Sequence, residues 1–279
     1  MMAVGVLLQT VHVRAGVRSA SLASLRPFAH NDMINLDYPG LRLVWQSARS
    51  GAPIFAVDDF LSRSECDRAL AKCAGAWVAS APGANPPAST IRTSQNVVLA
   101  KSETPAIQAR IAELVGRPRA CFAPLKIVRY ERGQQFSPHL DTAGLSEEAR
   151  ALEWHAPPRR ALANLNVELT VFVYLNSARE GGETAFYDDF PDGAETVRLA
   201  PRRGMAVVFF VTPQREIERC GWCHGGASSF AFRDMLHAGL PAVDTKHLLA
   251  QWVWSADMDR DPRTPSADNA PMLLGGEPL

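Results

Sequence analysis

The feature that most constrains the fold is a nine-residue segment, 167–175, in which aliphatic residues occupy every second position. A two-residue period places successive side chains on opposite faces of a β-strand. Two continuous apolar runs of strand length, 205–211 and 248–254, follow it, and Leu125–Tyr130 precedes it. Turn sequences rich in Gly, Pro and Asp separate these segments. The second half of the chain is therefore predicted to be a sheet.

Two helical patterns precede these strands. Ser62 and Glu65 have the spacing of a capping box, and Thr104-Pro105 opens a second amphipathic segment that Gly116 closes. With 279 residues, 47% of them hydrophobic, the chain can bury a large core. We therefore predict an α+β fold, a jelly roll or β-sandwich with supporting N-terminal helices.

Composition suggests three regions: an N-terminal extension (1–45), one folded domain (46–256) and a flexible tail (257–279). No acidic residue precedes Asp32, while Arg14, Arg18 and Arg26 alternate with serines. This composition is typical of a mitochondrial-type transit peptide, although a disordered extension of a cytoplasmic protein would have the same composition.

Charge and cysteine content exclude several classes of protein. A formal net charge of zero argues against a basic nucleic-acid groove, and no apolar run reaches the roughly 18 residues of a membrane span. Five scattered cysteines argue against a disulfide scaffold. Cys220 and Cys223 belong to a Cys-x-x-Cys-His pattern used for haem attachment, but in a β-rich chain we favour a redox-labile pair or an incidental loop.

The segment Ser-Pro-His-Leu-Asp at 137–141 carries the strongest chemical signal. Alternate residues of an extended chain share a face, so His139 and Asp141 can offer an imidazole and a carboxylate to one point. Alone the pair is more typical of a polar surface. With His237 it completes two histidines and one carboxylate, the donor set of mononuclear non-haem Fe(II) sites. The same donors bind zinc, but the H-E-x-x-H motif of zinc hydrolases is absent from the sequence.

Beyond these residues, the chain resembles the prolyl 4-hydroxylase-type branch of the Fe(II)/2-oxoglutarate-dependent dioxygenases. The resemblance runs from about residue 54 to 254 and includes KIVRYERGQQFSPHLDT, LTVFVYLNSAREGGETAFYDD and LHAGLPAVDTKHLLAQWVW, in the family's order. It implies a double-stranded β-helix, with iron bound by His139, Asp141 and His237.

The same resemblance implies the remaining site residues. Lys246 matches the lysine that binds the distal carboxylate of 2-oxoglutarate, although by itself it is more typical of a solvated lysine at a strand end. Tyr130 matches a tyrosine that lines the cosubstrate pocket. Glu183 and Thr184, in the GGET turn, are candidates for supporting the metal ligands from behind.

The implied reaction is hydroxylation of a C–H bond, coupled to oxidation of 2-oxoglutarate by O2 to succinate and CO2. The resemblance favours peptidyl proline 4-hydroxylation of a peptide or protein, with L-ascorbate sustaining activity. Another peptidyl residue, a small-molecule substrate and a non-catalytic metal-binding module are the alternatives, because a fold does not fix its substrate.

Three further segments carry predictions. Residues 144–163 are an insertion predicted to form a short helix and a loop over the site, with His155 on its surface. Arg92-Thr93-Ser94 is either a polar strand end or a pocket wall. Trp252 and Trp254 share a strand face and are predicted to line the core or the pocket.

Overall fold

The computed structural model describes residues 21–28, 31–80, 92–141, 167–188, 193–211 and 232–254. These ranges contain two α-helices, α1 (Arg63–Ala71) and α2 (Pro105–Val115). The strands they contain are β1 (Leu41–Gln46), β2 (Pro53–Val57), β3 (Val78–Ala79), β4 (Gln95–Leu99), β5 (Leu125–Tyr130), β6 (Phe136–His139), β7 (Val167–Tyr174), β8 (Thr184–Tyr187), β9 (Glu195–Leu199), β10 (Ala206–Phe210), β11 (Leu236–Gly239) and β12 (Lys246–Trp254).

The strands form two antiparallel sheets that face each other. The larger has eight strands in the order β1-β2-β10-β7-β12-β5-β4-β3, and the smaller has four in the order β6-β11-β8-β9. Strands close in sequence are repeatedly split between the sheets, which is the connectivity of a jelly roll. The predicted fold class, a double-stranded β-helix with supporting helices, is confirmed.

Both faces of the larger sheet are buried, and this explains why all eight residues of β7 are buried despite their alternation. Leu169 and Val171 face outward into a core that also contains Ile111 of α2 and Cys66 of α1. The opposite face of β7, which includes Phe172, lies between the sheets. The helices thus cover one face, and the other face is left for the interior of the sandwich.

Local signals place both helices. Ser62 and Glu65 form the predicted capping box at the start of α1. Thr104 is the N-cap of α2, Pro105 is its first residue, and Gly116 ends it in the left-handed region at φ 59°. The sequence predicts that α1 ends at Gly75. The helix ends earlier, at Ala71, and turns follow it as far as Gly75.

The larger sheet begins upstream of residue 46, where the folded domain was predicted to start. Strand β1 pairs with β2 from Leu41 onward, and the ring of Phe28 lies 4.9 Å from that of Phe210. β1 is an edge strand of six residues, and its pairing with β2 holds it in the sheet. Composition alone does not predict such a tertiary contact.

Several sequence predictions lie outside the described residues. They concern residues 1–20 of the N-terminal extension, the 144–163 insertion with His155, the Cys220/Cys223 pair and the tail at 257–279. Within the described ranges, neither helix has the length and apolar character that a membrane crossing needs.

Candidate active site

Two short strands of the smaller sheet bring the predicted ligands together. His139 ends β6 and pairs directly with His237 of β11, so that their ring centroids are 4.3 Å apart. Asp141 follows two residues after His139. Its Oδ1 lies 3.6 Å from His139 Nε2, and its Oδ2 lies 3.6 Å from His237 Nε2. One ligand atom from each residue lies within 4.8 Å of the other two.

Backbone carbonyls orient both imidazoles. His139 Nδ1 lies 2.8 Å from the carbonyl oxygen of Ser137, and His237 Nδ1 lies 3.1 Å from that of Met235. A carbonyl accepts a hydrogen bond, so each Nδ1 carries the proton and each Nε2 keeps its lone pair for a metal. In both cases the carbonyl belongs to the residue two positions earlier, so the local backbone itself fixes the tautomer.

Asp141 is oriented from the larger sheet. The Thr170 hydroxyl on β7 donates a 2.8 Å hydrogen bond to its Oδ2. Burial raises the pKa of this carboxyl, but His237, His139 and the Thr170 hydroxyl together lower it well below its usual range. Asp141 is therefore an anion at neutral pH, ready to ligate a cation.

Aromatic rings surround the two histidines. The ring of Phe136 stacks on His139 with centroids 3.5 Å apart, and Phe209 packs edge-on to His237 at 4.8 Å. Burial and, to a smaller extent, the neighbouring His139 lower the pKa of His237 to about 4. Neutral imidazole is the form that binds a metal, so burial favours ligation over protonation.

A pocket leads from these three residues to Lys246, the first residue of β12. This lysine is 1% exposed. Its Nζ lies 3.4 Å from Thr184 Oγ1, 5.2 Å from the ring centre of Tyr130 and 5.4 Å from that of Tyr174. Among the described residues no carboxylate forms an ion pair with it. Burial lowers its pKa to about 7, and the charge of Glu183 opposes this shift.

The structure thus places most of the predicted site residues around one cavity. Tyr130 pairs with Lys246 across β5 and β12. Thr184 contacts Lys246 and accepts a 2.7 Å hydrogen bond from Tyr174, so it supports the lysine end of the pocket rather than the metal ligands. Glu183 is half-buried beside them and acts on Lys246 through its charge.

Sequence reasoning missed Thr170 and Phe136. Thr170 had a usable signal, because it is a polar residue in a strand that is otherwise almost wholly apolar. Phe136 had none, since only tertiary structure stacks it on His139. Arg92, Trp252 and the metal residues line the same pocket, which favours the pocket-wall interpretation of the first two.

The residues present fit both a metal and a dicarboxylic cosubstrate. Two imidazole nitrogens and one ionised carboxylate converge on one point, which is the facial donor set of non-haem iron. A buried ammonium that forms no ion pair in the described residues is matched by an anionic ligand. Together they define a metal-dependent jelly-roll protein with a second, anion-binding end to its pocket.

Comparison with known proteins identifies what this chain is similar to. Residues 125–254 match the model of the 2OG-Fe(II) oxygenase superfamily. Prolyl 4-hydroxylase 2 of Arabidopsis thaliana is 27% identical over 194 residues, which cover 62% of this chain and 61% of that protein. Probable prolyl 4-hydroxylase 6 of the same plant is 28% identical over 176 residues, covering 56% and 57%. The chain therefore spans less than two thirds of these relatives.

Solved structures show weaker similarity. A viral collagen prolyl hydroxylase from Paramecium Bursaria Chlorella virus-1, in its 2OG complex, gives a TM-score of 0.47 at 22% identity, over 73% of this chain and 96% of that one. A Pseudomonas putida prolyl-4-hydroxylase gives 0.43 at 17% identity, over 72% and 91%. The fold described above rests on the strand pairing itself.

Geometry and comparison point to one class of protein in two steps. The strand order and the His139/Asp141/His237 cluster define a metal-binding double-stranded β-helix. Residues 125–254, which contain the whole cluster, match the family model of the 2OG-Fe(II) oxygenase superfamily. Within that superfamily, the chain resembles the prolyl 4-hydroxylases.

Proposed function

We propose that the protein is an Fe(II)/2-oxoglutarate-dependent dioxygenase that hydroxylates peptidyl proline. The observation that carries the chemistry is the pairing of two elements in one pocket, the His139/Asp141/His237 cluster and the buried cation of Lys246. When bound there, iron and 2-oxoglutarate supply the oxidation in which O2, 2-oxoglutarate and a C–H bond become succinate, CO2 and a hydroxylated product.

The residues of this chain have separate roles in that reaction. His139 and His237 hold the metal through Nε2, and Asp141 supplies one negative charge. Lys246 would neutralise the distal carboxylate of 2-oxoglutarate at the opposite end of the pocket from the metal ligands. With this cosubstrate, Fe(II), Asp141 and Lys246 sum to zero formal charge, which favours their burial together.

Asp141 also bears on the type of reaction. Its carboxylate would ligate the metal in the position that a halide would otherwise take, so hydroxylation is favoured over halogenation. The walls around the histidines are aromatic, and they would limit the access of water to a bound metal.

Proline as the substrate rests on the curated relatives, all of which are prolyl 4-hydroxylases or probable ones. A peptide or protein partner follows from the same similarity. We extend the proposal to L-ascorbate, which in this account sustains turnover by keeping the iron reduced between cycles.

The test is succinate formation from 2-oxoglutarate by protein loaded anaerobically with Fe(II), measured with and without proline-rich peptides. We expect succinate that depends on iron and rises with peptide. His139→Ala should abolish it, while Lys72→Gln, an exposed residue at the end of α1, should not.

Two results would change the proposal. Iron-dependent succinate without peptide stimulation would keep the dioxygenase and remove the prolyl substrate in favour of another peptide or a small molecule. Iron-loaded protein that binds 2-oxoglutarate but forms no succinate with any peptide would favour a non-catalytic module.

A further inference from the structure

The turn between β1 and β2 binds a buried carboxylate that lies just before β11. Asp234 is the middle residue of a single 3-10 helical turn, Arg233–Met235, that leads directly into β11, and it is 2% exposed. Its Oδ2 accepts hydrogen bonds from the Ser50 hydroxyl at 2.6 Å, from the Ser50 backbone N–H at 3.3 Å and from the Ser47 hydroxyl. Three donors from residues 184 and 187 positions earlier in the chain therefore converge on one oxygen atom.

This turn is held in shape by its own hydrogen bonds. Ser47 is 1% exposed, and its hydroxyl oxygen accepts 3.0 Å hydrogen bonds from the backbone N–H groups of Arg49 and Ser50. Its backbone N–H donates a 2.9 Å hydrogen bond to the carbonyl of Ala52. The hydroxyl proton of Ser47 is thus directed to Asp234. Because these buried groups are paired with one another, the turn offers Asp234 a fixed support.

The supported residue is next to the carbonyl that orients His237. Met235 follows Asp234 directly and is 1% exposed, and its carbonyl oxygen lies 3.1 Å from His237 Nδ1. The direction of that carbonyl decides which imidazole nitrogen carries the proton and how the ring is turned. On the far side of Met235 the backbone is fixed by the pairing of Leu236 with Tyr187 in the smaller sheet. On the near side it is fixed by Asp234, so the carbonyl is held from both directions.

We propose that Asp234, held by Ser47 and Ser50, is a positioning residue for the metal ligand His237. The inference rests on the proposed function, in which His237 binds the iron, and it goes beyond that function by giving the β1–β2 turn a role in the metal site. This turn lies outside residues 125–254, which match the superfamily model. The N-terminal part of the larger sheet thus supports the metal site without supplying a ligand to it.

The first measurement is the affinity of the full-length protein for Mn(II). Asp234→Asn keeps the size of the side chain and replaces the carboxylate with a neutral amide, which has only one acceptor oxygen. Loss of a group that orients a metal ligand typically weakens metal binding about 10- to 100-fold. Asp234 acts through the neighbouring residue, so we expect a Mn(II) Kd raised about tenfold, at the lower end of that range.

The second measurement is ¹⁵N NMR of the histidine side chains in metal-free protein near neutral pH. In the unaltered protein we expect the His237 proton on Nδ1, because the Met235 carbonyl accepts from that nitrogen. Asp234→Asn should shift part of the population to the Nε2-protonated form. The signals of His139, which the carbonyl of Ser137 orients, should not change. A residue that only stabilised the fold would not move one histidine selectively.

Variants of Ser50 test the contact from its other side. Ser50→Ala removes one donor to Asp234 and should raise the Mn(II) Kd about threefold, whereas Ser50→Thr keeps the hydroxyl and should restore the affinity. Ser50→Ala combined with Asp234→Asn should cost less than the sum of the two, because both changes break one contact. Glu65→Gln is the structural control. It weakens a 2.7 Å ion pair with Arg110 in the helices, so it should lower the unfolding midpoint and leave both measurements unchanged.

The outcomes separate positioning from stability. Selective movement of the His237 signals together with weaker Mn(II) binding supports the inference. Unaltered His237 signals in both Asp234→Asn and Ser50→Ala would overturn it, and so would an equal loss of affinity in an equally destabilised Glu65→Gln protein. If Asp234→Asn does not fold, the Ser50→Ala and Ser50→Thr pair decides by the same two measurements. Failure of the proposed function is distinguishable, because the unaltered protein would then bind no Mn(II) while the His237 signals still report on Asp234.

Discussion

Two buried threonines allow the two ends of the pocket to be tested separately. Thr170 donates to the metal ligand Asp141, whereas Thr184 contacts Lys246 and Tyr174. Both are nearly inaccessible, at 3% and 4% exposed. Replacing either with valine keeps the shape and removes one hydroxyl, so Thr170→Val and Thr184→Val form a matched pair.

The expected magnitudes follow from these contacts. A hydrogen bond to a charged group contributes about 1.5–3 kcal/mol, which corresponds to roughly 10- to 150-fold in affinity. Loss of a residue that orients a metal ligand typically weakens metal binding about 10- to 100-fold. We therefore expect Thr170→Val to raise the metal Kd about 10- to 100-fold. Thr184→Val should leave it within about twofold and weaken 2-oxoglutarate binding instead.

The assay is anaerobic titration with Mn(II), followed by titration of 2-oxoglutarate into the metal-loaded protein. Unfolding midpoints of both variants serve as the folding control. The reasoning is refuted if Thr170→Val binds Mn(II) like the unaltered protein. It is also refuted if both variants lose metal affinity equally, since the two ends of the pocket would then not be separable.

Two further predictions concern pH and packing. The pKa of Lys246 is lowered to about 7, so the ammonium is charged below that pH and 2-oxoglutarate affinity should fall about tenfold per pH unit above it. Calorimetry from pH 6 to pH 9 checks this, and a constant Kd would contradict it. In the unliganded protein the same shift makes the unfolded state bind more protons between about pH 7 and 10.5, so this lysine should make stability rise with pH there. Gly204→Ala should destabilise more than Gly75→Ala. Both glycines have positive φ, at 82° and 75°, but only at Gly204 would the new Cβ collide with the Leu61 carbonyl. Both variants share a conformational cost of about 1–2 kcal/mol, and the collision adds about 1–3 kcal/mol to Gly204→Ala alone. Equal urea midpoints for the two variants would contradict this prediction.

Long, strongly patterned segments could be predicted from the sequence. Leu125–Tyr130 and α2 have the predicted bounds, because period and caps are local signals. Four-residue strands such as β6, β8 and β11 could not be delimited, since they are too short to show a period. They are held by pairing with one another, which is a tertiary effect.

The site residues divide in the same way, into those with a local sequence signal and those placed by tertiary contacts. The His-x-Asp spacing at 139–141 gave two candidate ligands, but the place of His237 depends on a strand pairing between residues 98 positions apart. The sequence alone could not distinguish Lys246 from a solvated lysine at a strand end. Its burial in the structure makes that distinction. Thr170, Phe136 and the Trp252 indole, which lies against Lys126, contribute through contacts that no local sequence pattern encodes.

The most direct test of the central claim is product analysis under ¹⁸O₂. Iron-loaded protein, 2-oxoglutarate and a proline-rich peptide would be incubated together, and the peptide and succinate quantified by mass spectrometry. The account predicts a hydroxylated peptide carrying one ¹⁸O, formed in equal amount to peptide-stimulated succinate and absent with His237→Ala. Protein that binds iron and 2-oxoglutarate but yields neither labelled peptide nor succinate would contradict it.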